Sequence, residues 1–71
     1  MPDVAAHSTG TVVRIERKPG DAVAAGDPVV ILESMKMENP ILAPVSGKVT
    51  EIKVSAAQVV KPGETIATIE Y

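Results

Sequence analysis

Sliding the 71-residue sequence along itself by 37 places aligns residues 6–33 with residues 43–70 without a gap. Seven pairs are then identical: Ala6/Ala43, Gly10/Gly47, Val12/Val49, Ile15/Ile52, Val23/Val60, Gly26/Gly63 and Glu33/Glu70. Thr9/Ser46, Asp27/Glu64, Val29/Ile66 and Leu32/Ile69 are conservative. Two copies of one supersecondary unit this small cannot each bury an apolar face alone, so the halves must pack on one another. One domain over residues 1–71 is expected, with 1–5 flexible, and a domain of this size buries only about 60% of the surface its unfolded chain exposes.

The apolar residues are almost all Val, Ile, Ala, Leu and Met, Tyr71 is the one aromatic, and six prolines and five glycines interrupt the chain. β-Branched residues favour strands, and regularly spaced Pro and Gly break helices, so the chain reads as all-β. In each half a strand opens the pattern ("GTVVRIER" at 10–17, "GKVTEIKV" at 47–54) and another closes it ("DPVVILE" at 27–33, "ETIATIEY" at 64–71). "KPG" at 18–20 and 61–63 supplies turns, Pro presetting one position and Gly the positive φ of the next. Val12 and Ile15, like Val49 and Ile52, are three apart instead of two, which predicts a bulge in both halves. Where the first half has "PGD" at 19–21 the second has "AAQ" at 56–58, so Ala57 replaces a glycine and the second turn is expected to differ in geometry.

Composition removes several functions. With no cysteine and a single histidine, His7, a structural zinc site is not expected. A net charge of −2 with scattered basic residues lacks the positive stripe of a nucleic-acid binder, and stacking aromatics are missing as well. "MPDVAAHSTG" does not read as a secretory signal, and the run "VVIL" at 29–32 is too short to cross a bilayer. The expectation is a cytoplasmic protein, near complete in itself because Met1 enters the fold within a few residues.

Residues 34–42 lie between the repeats, and "ESMKMENP" at 33–40 is flanked by apolar stretches that read as two strands of a hairpin with its tip in "SMKM". The tip chemistry is wrong for a tight hairpin. Two-residue turns ask for Asn-Gly, Asp-Gly or Gly-X because their central residues take positive φ. Positions where local rules fail are expected to be strained or functional. A lysine between two methionines is ordinarily a solvated residue beside core filler, but this one stands in the segment that the repeat does not duplicate.

"ESMKMENPILAPVSGKV" resembles the attachment motif of biotinyl domains of the biotin/lipoyl attachment family. The resemblance runs from about Ala6 to Glu70 and includes the "G-x-V" that opens each half, the "V-x-x-G-[DE]" turns at 23–27 and 60–64, and Ala43-Pro44 before Gly47. Small free-standing attachment proteins and the C-terminal biotin carboxyl carrier domains of acyl-CoA carboxylases look most similar. "AHSTG" at 6–10 and Ala57-Gln58 depart from the family pattern, away from the tip.

The resemblance implies a flattened barrel-sandwich of two four-stranded antiparallel sheets with an internal quasi-twofold axis and no thumb insertion, its termini paired in one sheet and Lys36 at the opposite end. It implies biotin as covalent cofactor on Lys36, attached by a biotin protein ligase. It implies a carrier without catalysis of its own, moving CO2 from a biotin carboxylase to a carboxyltransferase. Met35 and Met37 would be soft contacts that adapt to several partners, with local packing on the hairpin as the alternative. Glu33, Ser34 and Glu38 would meet the ligase or other partners; solvated charge, and for Glu33 a structural purpose shared with Glu70, are the alternatives. A lipoyl carrier has the same fold but favours "DKA" about its lysine, and an unmodified adaptor module would not need Met-Lys-Met.

Overall fold

The computed structural model describes residues 3–71, and the side chain of Asp3 is not among the details it gives. Eight strands follow one another: β1 (Asp3–Ala5), β2 (Gly10–Ile15), β3 (Ala22–Val23), β4 (Pro28–Ser34), β5 (Met37–Leu42), β6 (Gly47–Ile52), β7 (Val59–Val60) and β8 (Thr65–Glu70). There is no helix among the described residues. Of the segment 1–5 expected to be flexible, residues 1 and 2 lie outside the described residues, and Asp3–Ala5 pair with β8.

The strands form two four-stranded antiparallel sheets, in the orders β1-β8-β6-β3 and β5-β4-β2-β7. Adding 37 to the residue numbers turns β1 to β4 into β5 to β8, and it turns the first order into the second. The quasi-twofold axis is thus written in the topology. Each half supplies the two central strands of one sheet and both edge strands of the other. Neither half can therefore complete a sheet by itself. The predicted bulges are present as register shifts between Val12 and Arg14 and between Val49 and Glu51. They let Val12, Ile15 and their repeat mates keep their places along a bent strand.

Between the sheets lies a core of Val4, Ala6, Val12, Val23, Val29, Val30, Leu32, Ile41, Ala43, Val49, Val54, Val60, Ile66, Ala67 and Ile69, with Val45 and Ile52 packed against it. No polar side chain is buried with them among the described residues. At the start of β2 and of β6 a glycine lets the backbones close in. A Cβ on Gly10 would stand 3.0 Å from the Glu33 carbonyl oxygen and 3.2 Å from Leu32 Cβ; a Cβ on Gly47 would collide with the Glu70 carbonyl oxygen and lie 2.8 Å from Ile69 Cγ2.

Four turns share one build. In Lys18–Asp21, Ala24–Asp27, Ser55–Gln58 and Lys61–Glu64 the fourth N–H donates to the first carbonyl at 3.0–3.1 Å. The fourth side chain accepts from the first N–H in return, through Asp21 Oδ2, Asp27 Oδ2, Gln58 Oε1 and Glu64 Oε1 at 2.9–3.1 Å. An acid or amide at the last position is thus a turn lock, which is the physical content of "G-[DE]". The third residue takes positive φ: 97° at Gly20, 93° at Gly26, 74° at Ala57 and 90° at Gly63. Its N–H then points across to the other half, Gly20 to the Val49 carbonyl, Gly26 to Ala43, Ala57 to Val12 and Gly63 to Ala6, at 2.7–2.9 Å. The expectation of a different turn at Ala57 is corrected here. The bond to Val12 fixes the backbone, so alanine adopts the conformation its repeat mate Gly20 adopts and bears the steric cost of the left-handed region, roughly 1–2 kcal/mol.

Two stability changes follow from these geometries. Ala57→Gly relieves the turn and is expected to raise unfolding free energy by about 0.5–1 kcal/mol, the relief being partly offset by the freer unfolded chain. Gly47→Ala is expected to lower it by about 1–3 kcal/mol, as overpacking against backbone does, and by more than Gly10→Ala. Urea titrations of the three variants check both signs and the order.

Candidate functional site

β4 and β5 form a hairpin whose registered pairs are Leu32↔Asn39, Glu33↔Glu38 and, last, Ser34↔Met37. Only Met35 and Lys36 remain to make the loop. Their φ angles are 53° and 64°, so both sit in the left-handed region, as the two-residue turn that matches strand twist requires. Neither is glycine or asparagine. The sheet imposes the turn and the sequence declines to ease it, which puts local strain where the repeat has no second copy.

The strain holds the tip clear of the domain. Met35 is 92% exposed and Met37 64%. Lys36 is exposed and enters no ion pair or side-chain hydrogen bond among the described residues. Burial does not account for either methionine, and local packing on the hairpin, the alternative reading of both, finds less surface at Met35 than at Met37. Ser34 is half-buried below the turn, while Glu33 and Glu38 are exposed.

Register lays a row across the outer face of this sheet, from Val59 through Thr11 and Glu33 to Glu38. Two like charges face each other in that row, an unfavourable arrangement for directly opposed side chains. Arg14 offsets it: its Nη2 donates to Glu38 Oε1 at 3.0 Å and its Nε to Glu16 Oε1 at 3.1 Å. Hydrogen bonds to Glu16 and then Glu38 raise the Arg14 guanidinium above its ordinary value. Among the described residues Glu33 has neither an ion pair nor a side-chain hydrogen bond, and its repeat mate Glu70 has none either. The two tip carboxylates are therefore unlike: Glu38 is bonded to Arg14, and Glu33 has no such partner among the described residues. Sequence reading grouped them together because Arg14, 24 residues from Glu38, gives no local sign of reaching over β4.

The site can present one primary amine, two thioethers and one free carboxylate to another molecule. Among the described residues there is no cavity, no group of His, Cys, Asp and Glu set to hold a metal ion, and no base placed on Lys36. His7 is exposed and stands apart from this tip in sequence and pairing.

Comparison with known proteins places this geometry in context. Residues 1–69 match a family model for biotin/lipoyl attachment described as "Biotin-requiring enzyme". The Mycobacterium leprae "Biotinylated protein TB7.3 homolog" is 43% identical over 67 residues, 94% of each chain. The Streptococcus mutans "Biotin carboxyl carrier protein" is 43% identical over 60 residues, 84% of this chain and 46% of its own. Among solved structures, Kluyveromyces lactis urea carboxylase superposes with a TM-score of 0.92 at 35% identity, over 97% of this chain and 6% of that one. The chain thus spans less than half of the streptococcal relative and a small part of the carboxylase.

If the tip is strained by its residue types alone, Met35→Asn should relax it, because asparagine tolerates the left-handed region and an exposed methionine forfeits no packing. The expected gain is about 0.5–1 kcal/mol of unfolding free energy, read from urea titration. A loss instead would mean that Met35 makes a stabilising contact.

Proposed function

The chain belongs to the biotin/lipoyl attachment family, and from that premise we propose that residues 1–71 act as one biotin carboxyl carrier domain with biotin amide-linked to Lys36. The observation that carries this reading is the exposed Lys36, unpaired among the described residues, in a two-residue turn closed by the registered pair Ser34↔Met37. A rigid base and a four-carbon stem give an attached group reach with a defined origin.

The residues fit the cofactor. Among the described residues Lys36 Nζ has no competing carboxylate in hydrogen-bond reach and no cavity beside it, so an attached ring would be left free to enter a partner's site. Biotin, when bound, supplies the chemistry of accepting and releasing CO2. The chain's own part is to orient and present: β4 and β5 aim the lysine, Ser34 leaves room beside it, Met35 and Met37 offer apolar contact, and Glu33 offers charge. A biotin protein ligase would load Lys36, and a biotin carboxylase and a carboxyltransferase would then use it, in the cytoplasm. Similarity to the Mycobacterium leprae "Biotin-dependent acyl-coenzyme A carboxylase alpha3 subunit", 42% identical over 67 residues, 94% of this chain and 11% of its own, supports an acyl-CoA as the acceptor. The domain does no catalysis in this scheme.

Incubation with biotin, ATP and a biotin protein ligase is expected to add one biotinyl group per chain, read by intact mass. Lys36→Arg should abolish the addition with an unchanged melting temperature. Exchanging Met35 and Lys36 should abolish it too, since the amine then leaves from the other turn position while composition is unchanged. Modification that survives Lys36→Arg would overturn the assignment.

A further inference from the structure

Met35 and Met37 raise a question that their proposed role as partner contacts leaves open. They flank Lys36 in sequence, and both are solvated, at 92% and 64% exposure. The chain contains no cysteine to react ahead of them, and its one other methionine is Met1. Core residues are shielded from oxidants by packing. These two thioethers are held out in water by a turn that cannot retract them, because its backbone is set by the pairing of β4 with β5.

We propose that Met35 and Met37 form a peroxide-sensitive modification site that gates attachment at Lys36. The inference rests on the reading of Lys36 as the acceptor lysine. The oxidant is of the peroxide class. A sulfur lone pair attacks one oxygen of hydrogen peroxide, the O–O bond breaks as the S–O bond forms, and the displaced hydroxide takes the proton of the transferred oxygen and leaves as water. Sulfur is oxidised by two electrons and the peroxide is reduced.

The product changes what the tip can offer. A thioether is a soft, adaptable apolar contact, whereas a sulfoxide is polar, chiral and a strong acceptor. A partner surface shaped to enclose the two methionines beside Lys36 would have to bury a new acceptor without a donor, which costs a contact heavily. The fold is spared, since neither methionine belongs to the inter-sheet core. Oxidation therefore acts on loading and leaves the domain intact. Sulfoxide is also reducible enzymatically, one enzyme for each sulfur epimer, so the gate reopens.

The test treats the unloaded chain with hydrogen peroxide, removes the oxidant with catalase and desalting, confirms sulfoxide at both positions by peptide mapping, and only then adds ligase, biotin and ATP. The expected result is a loading rate lower by at least about fivefold, the lower end of what burying an unpaired polar group costs a contact, with an unchanged circular dichroism spectrum and melting temperature. Treatment with both methionine sulfoxide reductases should restore the rate. The double variant Met35→Leu, Met37→Leu keeps Met1, and whatever its starting rate, that rate should be equal before and after peroxide. An undiminished rate in the fully oxidised chain overturns the inference, as does a loss that accompanies unfolding, a loss that the reductases leave in place, or an equal loss in the leucine variant. A chain that takes up no biotin before peroxide overturns the reading of Lys36 itself, which separates the two failures.

Discussion

Four backbone hydrogen bonds, each from the third residue of a turn in one half to a backbone carbonyl in the other, hold this molecule to its form. Gly20, Gly26, Ala57 and Gly63 donate to Val49, Ala43, Val12 and Ala6. The carbonyls of the neighbouring Asp21, Asp27, Gln58 and Glu64 accept from the N–H groups of the same four residues. Backbone groups of β2 and β6, and those of Ala6 and Ala43 just past β1 and β5, are thus satisfied by turns of the opposite repeat. Buried backbone groups need partners, and in a domain with a core this thin the partners come by exchange between the halves. Positive φ, the acid or amide at the fourth turn position and the spacing of the repeat are all consequences of that exchange.

The hairpin tip obeys a different constraint. At Ala57 strain is tolerated because a cross-half bond requires the conformation. At Met35 and Lys36 a two-residue loop requires it, and side chains that pack on nothing occupy it. The first case is a cost of architecture. The second keeps large side chains at a place where glycine or asparagine would be more stable, a cost that the proposed use of those side chains by another molecule would explain. Arg14 belongs to the same economy: it holds Glu38, while Glu33 beside the turn has no ion-pair partner among the described residues.

Much of this was legible in the residues. The repeat announced two interlocked copies, the three-residue spacing of Val12 and Ile15 announced the bulge, and the unduplicated Met-Lys-Met marked the tip. What was not legible has physical reasons. Ala22–Val23 and Val59–Val60 are too short for alternation to show, so β3 and β7 exist only because neighbouring strands offer them an edge. The turn at Ala57 keeps its shape because a tertiary bond overrides local preference. The distinction between Glu33 and Glu38 depends on a guanidinium that crosses an intervening strand, and pairs distant in sequence leave no periodic trace.

The exchange of edges between the halves also orders events during synthesis. β1 is the first strand to be made, and its only neighbour is β8, the last; β2 through β7 must all appear before Asp3 can face Thr68. Pairing over such a separation is slow to form. β4 and β5, by contrast, are joined through two residues and can meet as soon as both exist. The end of the molecule that carries Lys36 can therefore take shape on a nascent chain while the sheet that gathers the termini is still waiting for its final strand.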